Sequence, residues 1–381
     1  MRIILASDYL YPIGGAEIHM LDLASLLERG GHQVRLLGAE KPPGKSVLLT
    51  RIYDPRWATR LKKLVSEFRP HVMHVHNFTY VLSGSVLRMA KTAGLPVVLT
   101  VHDAHLLCPR TWLVNKEGIP CTKAMGPHCI IDGCALKPYF LYVYGKLLLH
   151  RKAVMTYVDK IIAPSRFLHR LLTEAFGEHK VINLPYFSPI KPFYPLPLPE
   201  KPCILYCGKL VPEKGVDVLI KALPAIVRAI SDDVKLTVVG DGPERRRLED
   251  LAMALGLRHF VDFVGWVPHN EVSKYYQLAW LICVPSLWQE NFPLVAIESY
   301  MHGRPILGSR IGGLPELIKD GITGYLFRPG DHDDLASKAV RMLSERKLVE
   351  DMGRNMFSHL PFLDSEYFID KLIKLYQSLF S

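Results

Sequence analysis

The chain reads as an α/β protein built from two Rossmann-like lobes. Three observations predict this class. Short apolar runs alternate with stretches of helical periodicity in both halves. A proline-dense stretch separates the halves. In the second half, glycine-rich turns recur just after the apolar runs. The 381 residues suffice for two domains of ordinary size, and 49% hydrophobic residues supply two cores.

In the first half, Arg2–Asp8 is an apolar run that ends in polar residues, and Ala16–Arg29 places Met20, Leu23, Leu26 and Leu27 at helical spacing before Gly30-Gly31 stops it. Strands are expected at Gln33–Leu37, His71–His76, Pro96–Val101, Asp159–Ala163 and Val181–Leu184. Helices are expected at Arg60–Phe68, Ser85–Ala93 and Ser165–Phe176. Continuous apolar strands alternating with helices imply a parallel sheet covered on both faces.

Pro185, Pro189, Pro192, Pro195, Pro197, Pro199 and Pro202 then crowd one segment, which disfavours both helix and sheet interior. The expected organisation is a first domain over 1–185 with a cysteine-rich insertion at 104–136, a linker at 186–202, a second domain over 203–360 and a terminal helix in 361–381. The alternation restarts in the second half, with strands at Cys203–Cys207, Lys235–Val239, Val261–Val264, Leu281–Val284, Pro305–Gly308 and Tyr325–Phe327. Its helices are Val216–Ile230, Glu244–Leu255, Glu271–Ala279 and Pro293–His302, and Ser365–Leu379 ends the chain. Two such sheets would face across a cleft, with ligands at the carboxyl ends of the strands.

Lys and Arg outnumber Asp and Glu by 47 to 37, a formal charge of +10 that favours nucleotides or phospholipid surfaces. The basic residues are spread without a nucleic-acid motif, so nucleic acid is excluded as a partner. No apolar run is long enough to span a bilayer, and the N-terminal residues run straight into a strand pattern, so a cytoplasmic protein is expected. Pro138–Val154, edged by Lys137, Lys146, Arg151 and Lys152, has two readings. It suits a helix lying peripherally on the inner face of a membrane, or an ordinary core helix with a basic face.

Of seven cysteines, Cys203, Cys207 and Cys283 fall in apolar strands as small hydrophobes. Cys108, Cys121, Cys129 and Cys134 cluster in the insertion without a short C-x-x-C knuckle, which leaves a structural metal, two disulfides or four free thiols open.

The segment E-N-F-P-L-V-A-I-E carries the most chemistry. Glu290 and Glu298 stand eight positions apart, nearly one face of a helix, and Pro293 suits a first turn, so Glu290 belongs on the loop before the helix and Glu298 inside it. A carboxylate accepts two hydrogen bonds from a vicinal diol, and first-turn N–H groups favour anions or hydroxyls, so the spacing suits a sugar nucleotide. Lys209 and Lys214, in G-K-L-V-P-E-K-G, lie at and beyond a strand's carboxyl end, where two ammonium groups can neutralise a departing diphosphate. Gly14-Gly15 precede a helix and permit close backbone approach. Strand-end turns recur at Gly240–Pro243, Gly265–Pro268 and Gly312–Glu316. His102 and Asp103 end a central strand, where His102 can bond a sugar hydroxyl or move a proton. His74 and His76 end the strand before it, and His74 reads as structural.

Together these segments resemble the family 4 retaining glycosyltransferases, which have the GT-B fold. The resemblance runs through G-G-A-E, T-V-H-D, I-A-P-S, G-K-L-V-P-E-K-G-V-D, V-G-D-G-P, F-V-G-W-V, the E-x7-E segment, G-G-L-P-E and G-I-T-G-Y-L-F. It implies an acceptor-binding first domain, a nucleotide-sugar-binding second domain and a last helix that crosses back to the first. It implies that Glu298 holds the ribose, that Glu290 with the backbone amides of Asn291, Phe292, Pro293 and Leu294 holds the donor sugar, and that Lys209 and Lys214, assisted by Gly15, clamp the diphosphate. His102 would sit near the reacting face, and backbone at Trp266 and Val267 would bracket the base. Where the family often has arginine, Lys209 lacks the bidentate fork. The implied reaction moves a hexose from a nucleoside-diphosphate sugar to a saccharide or lipid-linked acceptor, with retention and without a catalytic cofactor or metal. A nucleotide-sugar epimerase of the same architecture and a non-catalytic nucleotide-sugar binder are the competing readings.

Overall fold

The computed structural model describes residues 1–41, 52–117, 119–188, 197–359 and 364–380. The chain divides into two units, one of Met1–Pro189 with Ser365–Ser381 and the other of Ile190–Asp364.

The first unit is built on β1 (Arg2–Tyr9), β2 (Gln33–Ala39), β3 (Val72–Val75), β4 (Val97–Thr100), β5 (Lys160–Ala163) and β6 (Val181–Asn183), in the order β2-β1-β3-β4-β5-β6. All neighbours run parallel, with Leu5 opposite His74 across β1 and β3. Successive side chains go to opposite faces. Ile4, Ala6, Met73, Val75, Val97 and Leu99 therefore enter one core, while Ile3, Leu5, Val72 and Val98 enter another. The terminal helix Ser365–Gln377 completes the second of these cores with Phe368, Leu372 and Tyr376.

The second unit uses β7 (Cys203–Cys207), β8 (Lys235–Val239), β9 (Val261–Gly265), β10 (Leu281–Val284), β11 (Ile306–Ser309) and β12 (Gly324–Phe327), in the order β12-β11-β10-β7-β8-β9. Its strands are also parallel. The strand order reverses between β1 and β3 in one sheet and between β7 and β10 in the other. Such switch points, at the carboxyl ends of the strands, are where open α/β sheets bind ligands.

Within the expected linker, 186–202, Tyr186, Phe187 and Ser188 are buried, with Phe187 in the core of the first unit, and Leu198 packs in the core of the second. Pro189, Pro192 and Pro195 lie outside the described residues, as does the expected boundary at 360–361. Two helices, His332–Leu343 and Arg346–His359, go beyond the sequence reading. The first had a legible start: Asp331 Oδ1 accepts from the Asp333 and Asp334 amides at 3.1 and 2.9 Å.

Candidate active site

In the second unit the site grows from the turns that follow β7 and β10. After β7 the chain passes Lys209, enters a short 3₁₀ turn at Pro212–Lys214, and turns through Gly215 into the helix Val216–Ala229. Gly215 has φ +64°, and a Cβ there would stand 2.1 Å from the Pro285 carbonyl. Only glycine lets the β7 turn sit this close to the β10 turn. Lys214 is thereby brought to Glu290, and its Nζ donates to Oε1 at 2.6 Å. Ser286 Oγ and Trp288 Nε1 donate to the same oxygen at 2.6 and 2.9 Å. The Lys214 ammonium also lies 5.0 Å from the Trp288 ring centroid. Glu290 is buried, so this convergence compensates the cost of taking its charge out of water.

The Gly312 turn fixes the loop from the other side. Gly312 has φ +58°, its Cβ position lies 2.1 Å from the Glu290 carbonyl oxygen, and the next amide, Gly313, donates to that oxygen at 2.7 Å. The G-G-L-P-E segment thus supports the E-N-F-P segment directly.

Glu290 precedes the helix Leu294–Met301, and Glu298 is its fifth residue. The two acids have separate surroundings. Glu298 accepts from the Tyr276 hydroxyl at 2.6 Å and faces His269 at 3.6 Å. Tyr276 is buried and stacks on His302 at 4.9 Å, so it is a rigid anchor for the carboxylate. One expected role needs correction: Pro293 has no N–H and cannot offer an amide to a ligand. Asn291, Phe292 and Leu294 keep theirs, while the Phe292 side chain is core. Lys209 is exposed, and its carbonyl is fixed by the Tyr206 hydroxyl at 2.8 Å. Trp266 is exposed and Val267 half-buried in the turn after β9.

In the first unit, Gly14 caps and Gly15 opens the helix Gly15–Arg29. Gly14 is fully extended, so its turn makes no conformational demand for glycine. Beyond β4, His102 is held at both ring nitrogens: Nε2 meets His76 Nδ1 at 2.9 Å, and Nδ1 meets the Tyr186 hydroxyl. His19 lies 5.7 Å from His102 and 4.2 Å from Tyr186, centroid to centroid. His74 bonds Tyr376 at 2.6 Å and Thr100 at 2.7 Å. Burial holds His102 down to about 4 and His74 down to about 3, and depresses His19 and His76 strongly. The cluster is therefore neutral at pH 7 and can exchange hydrogen bonds with hydroxyl groups. Burial alone would raise the Asp103 carboxyl, but paired His105 holds it below the usual range. Asp8 closes the floor, accepting from the Tyr80, Val81 and Leu82 amides at 2.9, 2.7 and 2.9 Å.

The sequence reading missed Ser286, Trp288, Tyr276, Tyr186 and His19. Ser286 and Trp288 stand within four residues of Glu290 and could have been flagged. The tyrosines and His19 reach their partners only through the fold.

Cys108, Cys129 and Cys134 are free thiols, and among the described residues no group of three or more His, Cys, Asp or Glu is arranged to hold a metal. The expected structural metal is therefore not supported. Cys129 instead packs with Met125 and Leu147, and burial pushes the Cys108 thiol up to about 11, away from the thiolate a metal needs.

A family model described as Glycosyltransferase Family 4 matches residues 13–184, and one described as Glycosyl transferases group 1 matches 192–359. An uncharacterised glycosyltransferase of Methanocaldococcus jannaschii is 26% identical over 354 residues, covering 87% of this chain and 86% of its own. The phosphatidyl-myo-inositol mannosyltransferase of Mycobacterium leprae is 25% identical over 375 residues, covering 92% and 89%. Among solved structures, Anabaena HepE in complex with UDP-glucose superposes with a TM-score of 0.71 at 18% identity, covering 99% of this chain and 100% of that one. Two parallel six-stranded α/β units with these relatives define a GT-B enzyme: the chain belongs to the family 4 glycosyltransferases and carries the group 1 domain in its second half.

Proposed function

We propose that the protein transfers a hexose from a nucleoside-diphosphate sugar to a hydroxyl of a saccharide or lipid-linked acceptor, with retention of anomeric configuration and without a metal. The observation that carries this reading is the Lys214–Glu290 pair at the β7/β10 switch point, with Lys209 on the same turn. Lys214 and Lys209 receive the diphosphate, supplying the positive charge a divalent cation would otherwise bring. Glu290 takes its three donors on Oε1, which leaves Oε2 outside that set as an acceptor for sugar hydroxyls. Glu298, braced by Tyr276, takes the ribose diol. Asn291, Phe292 and Leu294 offer amides to the sugar, and Trp266 and Val267 border the base. Gly15 opens a helix whose amide end suits the phosphates.

In the transfer, the bond from the anomeric carbon to the phosphate oxygen breaks and the acceptor oxygen bonds to that carbon from the same face. The acceptor proton passes to the departing phosphate, which lies on that face. Neutral His102 bonds a hydroxyl of the reacting sugar, exchanging one of its present partners. The relatives support the substrate classes: HepE has been solved in complex with UDP-glucose, and the mycobacterial relative is a phosphatidyl-myo-inositol mannosyltransferase.

Thermal-shift measurement against UDP, GDP, ADP and TDP sugars tests the donor site. At a hundredfold excess over its dissociation constant the right donor adds about 3 kcal/mol of stability. Silence from all four would sink the reading. NMR of the product's anomeric proton tests retention.

A further inference from the structure

The helix Pro138–Tyr157 packs one side into the first unit. Its buried residues are Lys146, Leu147, His150 and Val154. Lys146 donates to the Thr79 carbonyl at 2.6 Å and lies 5.2 Å from the Tyr80 ring centroid, while His150 packs on Phe78 at 5.3 Å. The opposite face presents Leu141, Leu148, Leu149, Lys152 and Met155, and its apolar members are 45 to 53% exposed. At 3.6 residues per turn these five fall within an arc of about 120°. Leu136, just before the helix, is 64% exposed. The helix therefore packs Leu147 and Val154 into the unit's interior, as a core helix does, and leaves a second apolar face in the open.

We propose that this face lies flat on an anionic lipid surface. Leu136–Tyr157 contains Lys137, Lys146, Arg151 and Lys152 and no acidic residue. With Lys146 buried and Arg151 bonded to the Met125 carbonyl at 2.8 Å, the charges left for a headgroup layer are Lys137 and Lys152, both exposed. Lys137 stands one turn before Leu141, at the start of the apolar stripe, and Lys152 sits within it, between Leu148 and Met155, so each apolar stretch has an ammonium beside it. That is the pattern of an in-plane helix, with alkyl side chains entering the acyl boundary and lysines reaching up to phosphate. No helix among the described residues is long and apolar enough to cross a membrane. The charge complementarity favours a lipid surface over a second copy of the chain, whose matching face would bring the same lysines together.

The inference stands apart from the donor chemistry, and the test keeps the two distinguishable. The full-length protein is sedimented with phosphatidylcholine vesicles alone and with phosphatidylglycerol added. The wild type is expected to sediment only with the anionic vesicles. Lys137→Gln/Lys152→Gln is expected to bind them about thirtyfold less tightly, and Leu141→Gln/Leu148→Gln/Met155→Gln to lose them altogether. Both variants should keep the wild-type thermal shift with nucleotide sugar, which shows that they are folded. Failure of the wild type to bind anionic vesicles overturns the proposal, as does vesicle binding unchanged in both variants. A wild-type dimer in light scattering that the leucine variant dissolves, without vesicle binding, would assign the face to a second copy instead.

Discussion

The turns after β7 and β10 and the strand ends of the first unit hold polar groups at equivalent places in two parallel sheets, by opposite means. Around Glu290 the second unit keeps a full charge and answers it with an ammonium and two neutral donors. Around His102 the first unit strips charge away, because burial leaves four histidines neutral and the rings bond one another and Tyr186. A charged pair can engage a diphosphate but leaves an uncompensated charge when one member is lost. A neutral cluster tolerates hydroxyl partners but must resist protonation.

The largest expected effect comes from breaking the charged pair. Lys214→Met and Glu290→Gln should each lower kcat about 10² to 10³-fold, as for loss of a charge-stabilising group. In thermal unfolding the two changes together should cost less than the sum of the singles, with a coupling of about 1 to 3 kcal/mol. Additive effects would mean that the 2.6 Å contact carries no energy, and the contrast between the units would fail.

Acid should strike the neutral cluster next. His74, held at about 3, and His102, held at about 4, titrate lower in the folded protein than near 6.5 in the unfolded chain. Below that unfolded value the unfolded state binds more protons, so stability falls as pH drops from about 6.5 toward 4. His74 alone accounts for a loss on the order of 3 kcal/mol at pH 4. Hydrogen exchange followed from pH 7 to pH 4 should show β3 and β4 losing protection before β7 and β10. Simultaneous loss in both sheets would contradict the assignment of the acid-sensitive element to the histidines.

These two sites also differed in how much of them the sequence disclosed. All twelve strands among the described residues were readable, because parallel strands buried on both faces are short, continuous apolar runs such as Cys203–Cys207. The Lys214 and Glu290 site was readable in type, since glycine turns and charged residues cluster within single segments. Its wiring was less so: pairing across 76 positions needs Gly215 and Gly312 to bring three turns together. The neutral cluster was the least legible. His74 to Tyr376 spans 302 positions and His102 to Tyr186 spans 84, and no local pattern marks a tyrosine as the partner of a distant ring. The outward leucines of Pro138–Tyr157 were hidden for a related reason. Both faces of that helix are apolar in part, so periodicity could not say which one the unit would bury.

The smallest expected effect separates the units most finely, through two tyrosine hydroxyls. Tyr276→Phe removes the donor to Glu298 at 2.6 Å, together with a longer bond to the Val295 carbonyl at 3.4 Å, while the ring keeps its stacking on His302. A single hydrogen bond of about 1 kcal/mol to a partly solvated carboxylate corresponds to about a fivefold rise in the donor's KM, with kcat close to wild type. Tyr186→Phe removes the partner of His102 Nδ1 in the first unit. It should leave nucleotide binding untouched and lower kcat, because the ring loses one of the bonds that orient it toward the reacting sugar and keeps the one to His76. If Tyr276→Phe instead lowered kcat with KM unchanged, Glu298 would act on the reacting sugar and not on the nucleotide. The division of labour between a charged donor site and a neutral histidine site would then have to be redrawn around the helix Leu294–Met301.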